Sequence, residues 1–318
     1  MKAGVIVNAR ATKVKRARWF LWKLMAKTSK KILWRITNEI GEIKPVLDEF
    51  SSKGVEHLLI CGGDGSVQKI LTEMILTFGN EWRPAILHVP GGATNILSKN
   101  LNMEEGPVMV MRRYIKKVIE KGEEPFTHYS NVLKIEDERI KFPIYGITFT
   151  NGIAFELTRK YLELTPGMRS VMRVVYSAIA EFIASTIKGE GPKTGYFRRI
   201  PVKIIIDGNE YPYNEVIISL ATILPNPLMW FRPFYNSNGI PREGFYFLAN
   251  SMENKEILKN LFQLLTGRFP GTKSYNGIAN EVLITTKDGY AVDGEVVPFE
   301  SLTTLKITRG PLIKFISV

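Results

Sequence analysis

The chain has 318 residues, room for about two domains. Its single cysteine, Cys61, excludes an intrachain disulfide and fits a reducing cytoplasm. The net charge of +12 is not spread evenly, because eleven cations precede the first acidic residue, Glu39.

The N-terminus, MKAGVIVNAR, reads as a strand over GVIVNA (4–9) and not as a secretion signal. No run of about 18 apolar residues is seen, so no bilayer span is expected. Residues 13–36, KVKRARWFLWKLMAKTSKKILWRI, read as a basic amphipathic helix. Arg16, Lys23, Lys27 and Lys30 fall on one side, and Leu21, Met25 and Ile32 on the other. Trp19, Trp22 and Trp34 lie on the flanks. Two readings of this segment stand: a first helix packed on a sheet with a solvated basic face, or contact with an anionic membrane surface. Nucleic acid is not expected, because no recognition module is present.

A helical stretch over 38–53 follows, then a strand, VEHLLIC (55–61), and a helix, SVQKILTEMILTF (66–78). AILHVP (85–90) is the next strand, GGATNILSKNL opens a helix, and VMVMRRYIKKVIEKG (108–122) is a helix ended by Gly122. This alternation predicts a parallel sheet covered by helices over residues 1–125. From Pro125 the pattern changes. Short segments rich in β-branched and aromatic residues, such as PVKIIIDG, EVIISLAT, GFYFLAN and EVLITTK, predict an antiparallel β-sandwich or distorted barrel over 126–308. One helix near 168–187 interrupts them. Asp207-Gly208 and Asp288-Gly289 read as hairpin turns. His57, His88 and His128 match no metal-binding spacing and read as structural. PNPLMWFRPFY (225–235) places Met229, Trp230, Phe231 and Phe234 either in a core or at the lip of an acyl-chain site.

Two glycine turns carry the chemistry: GGDGS after one strand and GGATN after the next. Neither is a Walker A loop or a dinucleotide fingerprint. Glycines let backbone N–H groups face an anion, and each following helix adds its positive end. Both turns project from the carboxyl ends of neighbouring parallel strands, where α/β folds bind ligands. One such turn alone is an ordinary βα connection; the matched pair points to a phosphate cradle. Asp64 cannot attract phosphate itself. It makes sense through Mg²⁺, through a nucleotide ribose, or as a base facing a hydroxyl. Late in the chain, Asp293-Gly294-Glu295 is a β-turn if taken alone.

GGDGSV (62–67), PGGATNILSKNL (90–101) and VDGEVV (292–297), in this order, resemble the diacylglycerol kinase catalytic-domain family, which includes bacterial lipid kinases, sphingosine kinases and ceramide kinases. VIVNARA (5–11) takes the place of that family's first strand and loop, and FTNGIAFEL (149–157) and LTPGMRSVMRVVYSAIAEF (164–182) resemble later segments. The resemblance implies an α/β ATP-binding domain and an antiparallel β-sandwich substrate domain, with the active site between them and residues 309–318 returning to the first domain. It implies ATP-dependent phosphorylation of a lipid hydroxyl with Mg²⁺, in the cytoplasm or peripherally on the membrane.

In that reading Asn8, Gly62, Gly63, Asp64, Gly65, Ser66, Gly91, Gly92, Thr94 and Asn95 hold the nucleotide. Asp293 leads as general base, Glu295 orients it or binds metal, and Asp64 binds metal or exchanges roles with Asp293. Glu156 faces the substrate headgroup. The first loop, NARAT, lacks the family's proline and glycine. Ile96 stands where many members have aspartate, and Arg242-Glu243-Gly244 replaces an expected Asp-Gly. Two alternatives keep the same motifs: an NAD-kinase-like enzyme, and a relative that binds nucleotide or lipid without catalysis.

Overall fold

The structure, a computed structural model, describes residues 2–165, 167–188, 195–227, 233–234, 241, 243–260, 263–264 and 273–318. The chain forms two compact units, residues 1–131 with 311–318, and residues 132–310.

The first unit is α/β. Strands β1 (Ala3–Asn8), β2 (Ile32–Thr37), β3 (His57–Gly62) and β4 (Ala85–Pro90) pair in parallel in the order β2-β1-β3-β4. Every residue of β3 and β4 is buried. A parallel strand covered on both faces requires such continuous apolar runs. The chain's last residues add a strand beside β4, with Phe315 opposite Ile86 in parallel. The covering helices are α1 (Thr12–Thr28), α2 (Ile43–Ser52), α3 (Asp64–Phe78), the short α4 (Ile96–Asn100) and α5 (Pro107–Tyr114), which continues as a π-helix over Ile115–Glu120. In α2, Ile43, Leu47 and Phe50 recur at helical spacing and are buried. Cys61 is buried within β3, and burial pushes its thiol up to about 12, consistent with inert packing.

The basic segment is not one helix to residue 36. α1 stops at Thr28, and Ile32–Thr37 is the edge strand β2. Alternation explains the difference. Ile32 and Trp34 turn inward while their neighbours are partly exposed, and the Trp34 indole donates to the Thr28 hydroxyl at 3.1 Å. On α1 itself Val14, Leu21 and Thr28 are buried. Trp19 is exposed, with the Lys23 ammonium 3.6 Å from its ring centre.

Strands β5 (Phe126–Asp137) and β17 (Thr303–Ser317) each run from one unit into the other. The second unit adds, in chain order, β6 (Ile144–Gly146), β7 (Thr148–Gly152), α6 (Ile153–Leu162), α7 (Met168–Lys188), β8 (Ile200–Ile206), β9 (Asn209–Glu210), β10 (Glu215–Val216), β11 (Ile218–Thr222), β12 (Phe245–Asn250), α8 (Asn254–Lys259), β13 (Ser274–Ala279), β14 (Glu281–Thr286), β15 (Tyr290–Val292) and β16 (Glu295–Val297). It is built on antiparallel sheets. One runs β10-β8-β14-β17, with β9 on β8, β5 beside β17 and β6 on β5; the other runs β13-β12-β11-β7-β15-β16. Asp207-Gly208 is the expected hairpin turn, with both residues at positive φ between β8 and β9. Asp288-Gly289 is not a hairpin: it carries the chain from β14 in one sheet to β15 in the other. Phe234 stacks on Tyr246 in a buried cluster with Leu220 and Leu248, so the core reading holds for this residue. Met229, Trp230, Phe231 and Arg242 lie outside the described residues.

α7 bears on the expectation that no segment spans a bilayer. Residues 168–187 are long and apolar enough to cross a bilayer by length and composition, although much of this helix is exposed.

The Asp137 side chain is buried in the second unit. It accepts hydrogen bonds from the Arg139 guanidinium and from the Tyr290 hydroxyl at 3.0 Å. Burial alone would raise its pKa, but these donors outweigh burial and hold it below the ordinary aspartate value. Its contribution to stability is therefore present above the unfolded pKa and lost as pH falls through the folded one. Asp137→Asn is expected to cost roughly 2–4 kcal/mol in urea denaturation and to flatten the acid limb of the stability profile.

Candidate phosphate-binding site

The two glycine turns of the first unit meet backbone to backbone. The Gly91 N–H donates to the Gly62 carbonyl at 2.7 Å. A Cβ on Gly91 would stand 3.0 Å from the Gly62 Cα, and one on Gly92 would stand 2.6 Å from the Gly63 Cα. Real Cβ atoms do not approach a backbone atom as closely as 2.6 Å, so glycine at residue 92 is required by the contact between turns before any ligand is considered. β3 and β4 are register neighbours, with Gly62 opposite Pro90. Their loops therefore leave the sheet side by side.

Side chains lock this junction. Asn95 sits at φ 51° in the left-handed region. Its Oδ1 accepts from the Gly92 N–H at 2.7 Å, and its Nδ2 donates to the Gly92 carbonyl at 2.8 Å. The Asn8 amide donates to the Ser66 hydroxyl at 2.8 Å and accepts from the Arg10 N–H at 2.9 Å, which ties the first loop to α3. Asp64 spans the two turns: the Thr94 hydroxyl and the Ile96 N–H each donate to Oδ2 at 3.0 Å, and the Leu97 N–H donates to Oδ1 at 3.2 Å. The opening of α4 is thus capped by an aspartate from another helix. Asn95, the N-cap residue, makes no side-chain cap bond. Asp64 therefore has a structural role beside the expected one in metal or proton handling: three of its roughly four acceptor sites are taken by the fold. His88 is fully buried; its Nε2 donates to the Gly62 carbonyl at 3.0 Å, and its Nδ1 lies 4.0 Å from Asp64 with no hydrogen-bond partner. Burial lowers the His88 pKa against the pull of Asp64 and favours the neutral ring.

The donors left at this junction suit an anion. α3 begins at Asp64, with Gly63 as its N-cap. The Ser66 and Val67 N–H groups bond back to the Gly63 carbonyl. The N–H groups of Asp64 and Gly65 have no acceptor among the described residues, as first-turn amides do. Two cations complete the setting. The Lys13 backbone N–H donates to the Gly91 carbonyl at 2.8 Å. Burial and the neighbouring charge of Lys99 pull the Lys13 pKa below the ordinary lysine value, with Asp64 opposing. Neither ammonium has an ion-pair partner among the described residues. Sequence reading passed over both lysines. The available signs were a cation opening the helix after the NARAT loop and another one turn beyond Asn95.

The remaining expected residues lie in the second unit. Asp293 and Gly294 form a two-residue hairpin turn between β15 and β16, at φ 49° and 84°. The Ile147 and Thr148 N–H groups donate to Asp293 Oδ2 and Oδ1, each at 2.9 Å, and the Asp293 N–H donates to the Thr148 carbonyl. The turn reading of DGE is thus realised, with the carboxylate plane fixed by two amides. Glu295 opposite Val292 begins β16, so no strand face is shared with Asp293. Glu156 is bound by Arg159 at 2.8 Å and by Arg198 at 3.4 Å, and Arg198 also holds Asp288. This network commits its carboxylate within the unit. No three acidic, histidine or cysteine side chains cluster as a metal site among the described residues, so a Mg²⁺ ion arriving with a nucleotide would take most of its ligands from phosphate and water.

Residues 2–123 match the family model of the diacylglycerol kinase catalytic domain, so the resemblance to that family stands. No curated protein matches the sequence. Among solved structures, a crystal structure of a diacylglycerol kinase from Bacillus anthracis strain Sterne has a TM-score of 0.60 at 16% identity. A candidate diacylglycerol kinase from the same organism has a TM-score of 0.65 at 17% identity. Each alignment covers 100% of this chain and 97% of the other. The fold is therefore the two-part diacylglycerol kinase fold over the whole chain.

The Asp64 cap is testable without ligand. Asp64→Ala should lower the stability of the nucleotide-free protein by roughly 1–3 kcal/mol in denaturant titration, because two α4 amides lose their acceptor. Unchanged stability would return Asp64 to a purely chemical role.

Proposed function

We propose that the protein is an ATP-dependent lipid kinase that transfers the γ-phosphate to a lipid hydroxyl. The observation that carries this reading is the junction of two glycine turns flanked by Lys13 and Lys99, two cations without carboxylate partners among the described residues, inside the segment that matches the diacylglycerol kinase catalytic-domain model.

Phosphoryl transfer needs positioning, neutralisation of phosphate charge and a base for the accepting hydroxyl. The α3 first-turn amides and the two lysines answer the first two needs. Gly62, Gly63, Gly65, Gly91 and Gly92 allow the backbone to approach the phosphates. Ser66, Thr94, Asn8 and Asn95 hold the loops in shape. Asp293 is the base: it takes the hydroxyl proton as oxygen attacks phosphorus and ADP leaves. Bound with the nucleotide, Mg²⁺ would neutralise phosphate charge.

The test is transfer of labelled γ-phosphate from ATP to a mixed lipid extract, with NAD as a competing acceptor. Wild type should yield a phosphorylated lipid, and Asp293→Asn should lose about 100-fold or more while still binding ATP. Phosphorylation of NAD alone would overturn the reading in favour of the nucleotide kinase alternative.

A pH dependence follows from Lys13. Its depressed pKa means that the charged form, which attracts phosphate, is lost as pH rises through a value below the ordinary lysine range. The KM for ATP should therefore climb on the alkaline side. That climb should be absent in Lys13→Met, whose KM is high throughout.

A further inference from the structure

We infer that α7 is an in-plane docking helix for an anionic bilayer. The inference extends the lipid-kinase reading by naming a surface of the second unit that meets the lipid.

α7 has two apolar faces. Its inner face carries Val174, Ala178 and Phe182 at helical spacing; all three are buried, and Phe182 packs on Phe197 with ring centres 4.7 Å apart. Its outer face carries Tyr176, Ile179, Ile183 and Ile187, spaced three or four residues apart and so on one stripe. These four are exposed, Tyr176 at 64% and Ile187 at 80%, with Ala180 and Ala184 between them, also exposed. A contiguous apolar stripe of this size on a water-facing helix marks an interaction surface.

Charge selects the occupant. Glu181, the only acidic residue of α7, lies off the stripe; its Oε1 accepts the Tyr196 N–H at 2.8 Å. The first turn of α7 holds no acid. Arg169 and Arg173 are instead exposed at the N-terminal end of the outer face, without an ion-pair partner among the described residues. Cations near a helix N-terminus oppose the helix dipole, so the isolated unit gains little from them there. Lipid phosphates would be drawn to both the arginines and the helix end. A stripe with cations at one end and only apolar or small residues towards the other fits a helix lying in the interface. Arg169 and Arg173 would meet headgroups, Tyr176 would sit at their level, and Ile183 and Ile187 would reach the acyl chains. The buried inner face and the held Glu181 argue against a transverse span.

The test is co-sedimentation of the full chain with phosphatidylcholine vesicles, with and without roughly one third phosphatidylglycerol. Wild type should prefer the anionic vesicles. Ile183→Ser with Ile187→Ser should weaken binding to them at least tenfold, with an unchanged melting curve. Arg169→Gln with Arg173→Gln should remove about tenfold of the preference for anionic lipid.

Wild type indifferent to vesicles, or isoleucine variants that bind as wild type does, would overturn the inference. So would a shift from dimer to monomer in the isoleucine variants with vesicle binding unchanged, which would assign the stripe to a second copy of the chain. Phosphate transfer to a detergent-dispersed lipid separates the two claims. Vesicle binding through the stripe with no transfer sinks the kinase reading alone; transfer intact with the stripe irrelevant sinks the docking helix alone.

Discussion

A contact between two backbones governs the first unit. Gly62 and Gly63 end one parallel strand, Gly91 and Gly92 follow the next, and the two turns approach so closely that a methyl group on Gly92 would collide with the opposing chain. Every other feature of the site adjusts to this contact. Asn95 adopts a left-handed conformation to close its own turn. Asp64 reaches from α3 to cap α4. Lys13 is placed by a bond from its backbone to Gly91. An acidic residue in a phosphate cradle looks paradoxical until its bonds are counted. Asp64 holds the two turns together, and the cations that suit a phosphate come from other segments.

This division of labour explains what the sequence revealed. The α/β alternation was legible because β3 and β4 are continuous apolar runs and α2 keeps its apolar residues at helical spacing. The antiparallel half was legible from short β-branched segments and from turns such as Asp207-Gly208. The error at residues 32–37 arose where cations surround a short alternating strand, so a helical period was read through a real break at Thr28. Asp288-Gly289 has hairpin chemistry but joins two sheets, a matter of tertiary pairing that no local signal carries.

The site was legible as a set of motifs and less so as a set of roles. The glycine turns announced themselves, but Asp64 and Glu156 find partners in segments far away in sequence, and the bonds of Asn95 to Gly92 depend on a left-handed backbone that no motif spells out. Lys13 and Lys99 were missed because neither touches the glycines in sequence, although Lys99 lies within PGGATNILSKNL, and each gains significance only through position. The DGE motif shows that the structural and chemical readings are compatible: Asp293-Gly294 is a hairpin turn, and the same geometry fixes the Asp293 carboxylate against two amides. α7 shows the converse, a helix whose existence was plain but whose exposed apolar stripe appears only once its inner face is packed.

The most direct test of the account is calorimetric titration of ATP into the wild type and a Lys13→Met, Lys99→Met double variant. The account predicts saturable binding by the wild type. In the double variant, binding should fall by at least tenfold, in line with roughly 1 kcal/mol or more per lost charge-assisted contact, with the fold intact by thermal melting. Equal affinity in the two proteins would mean that the nucleotide is held elsewhere, and the phosphate site described for the first unit would be wrong.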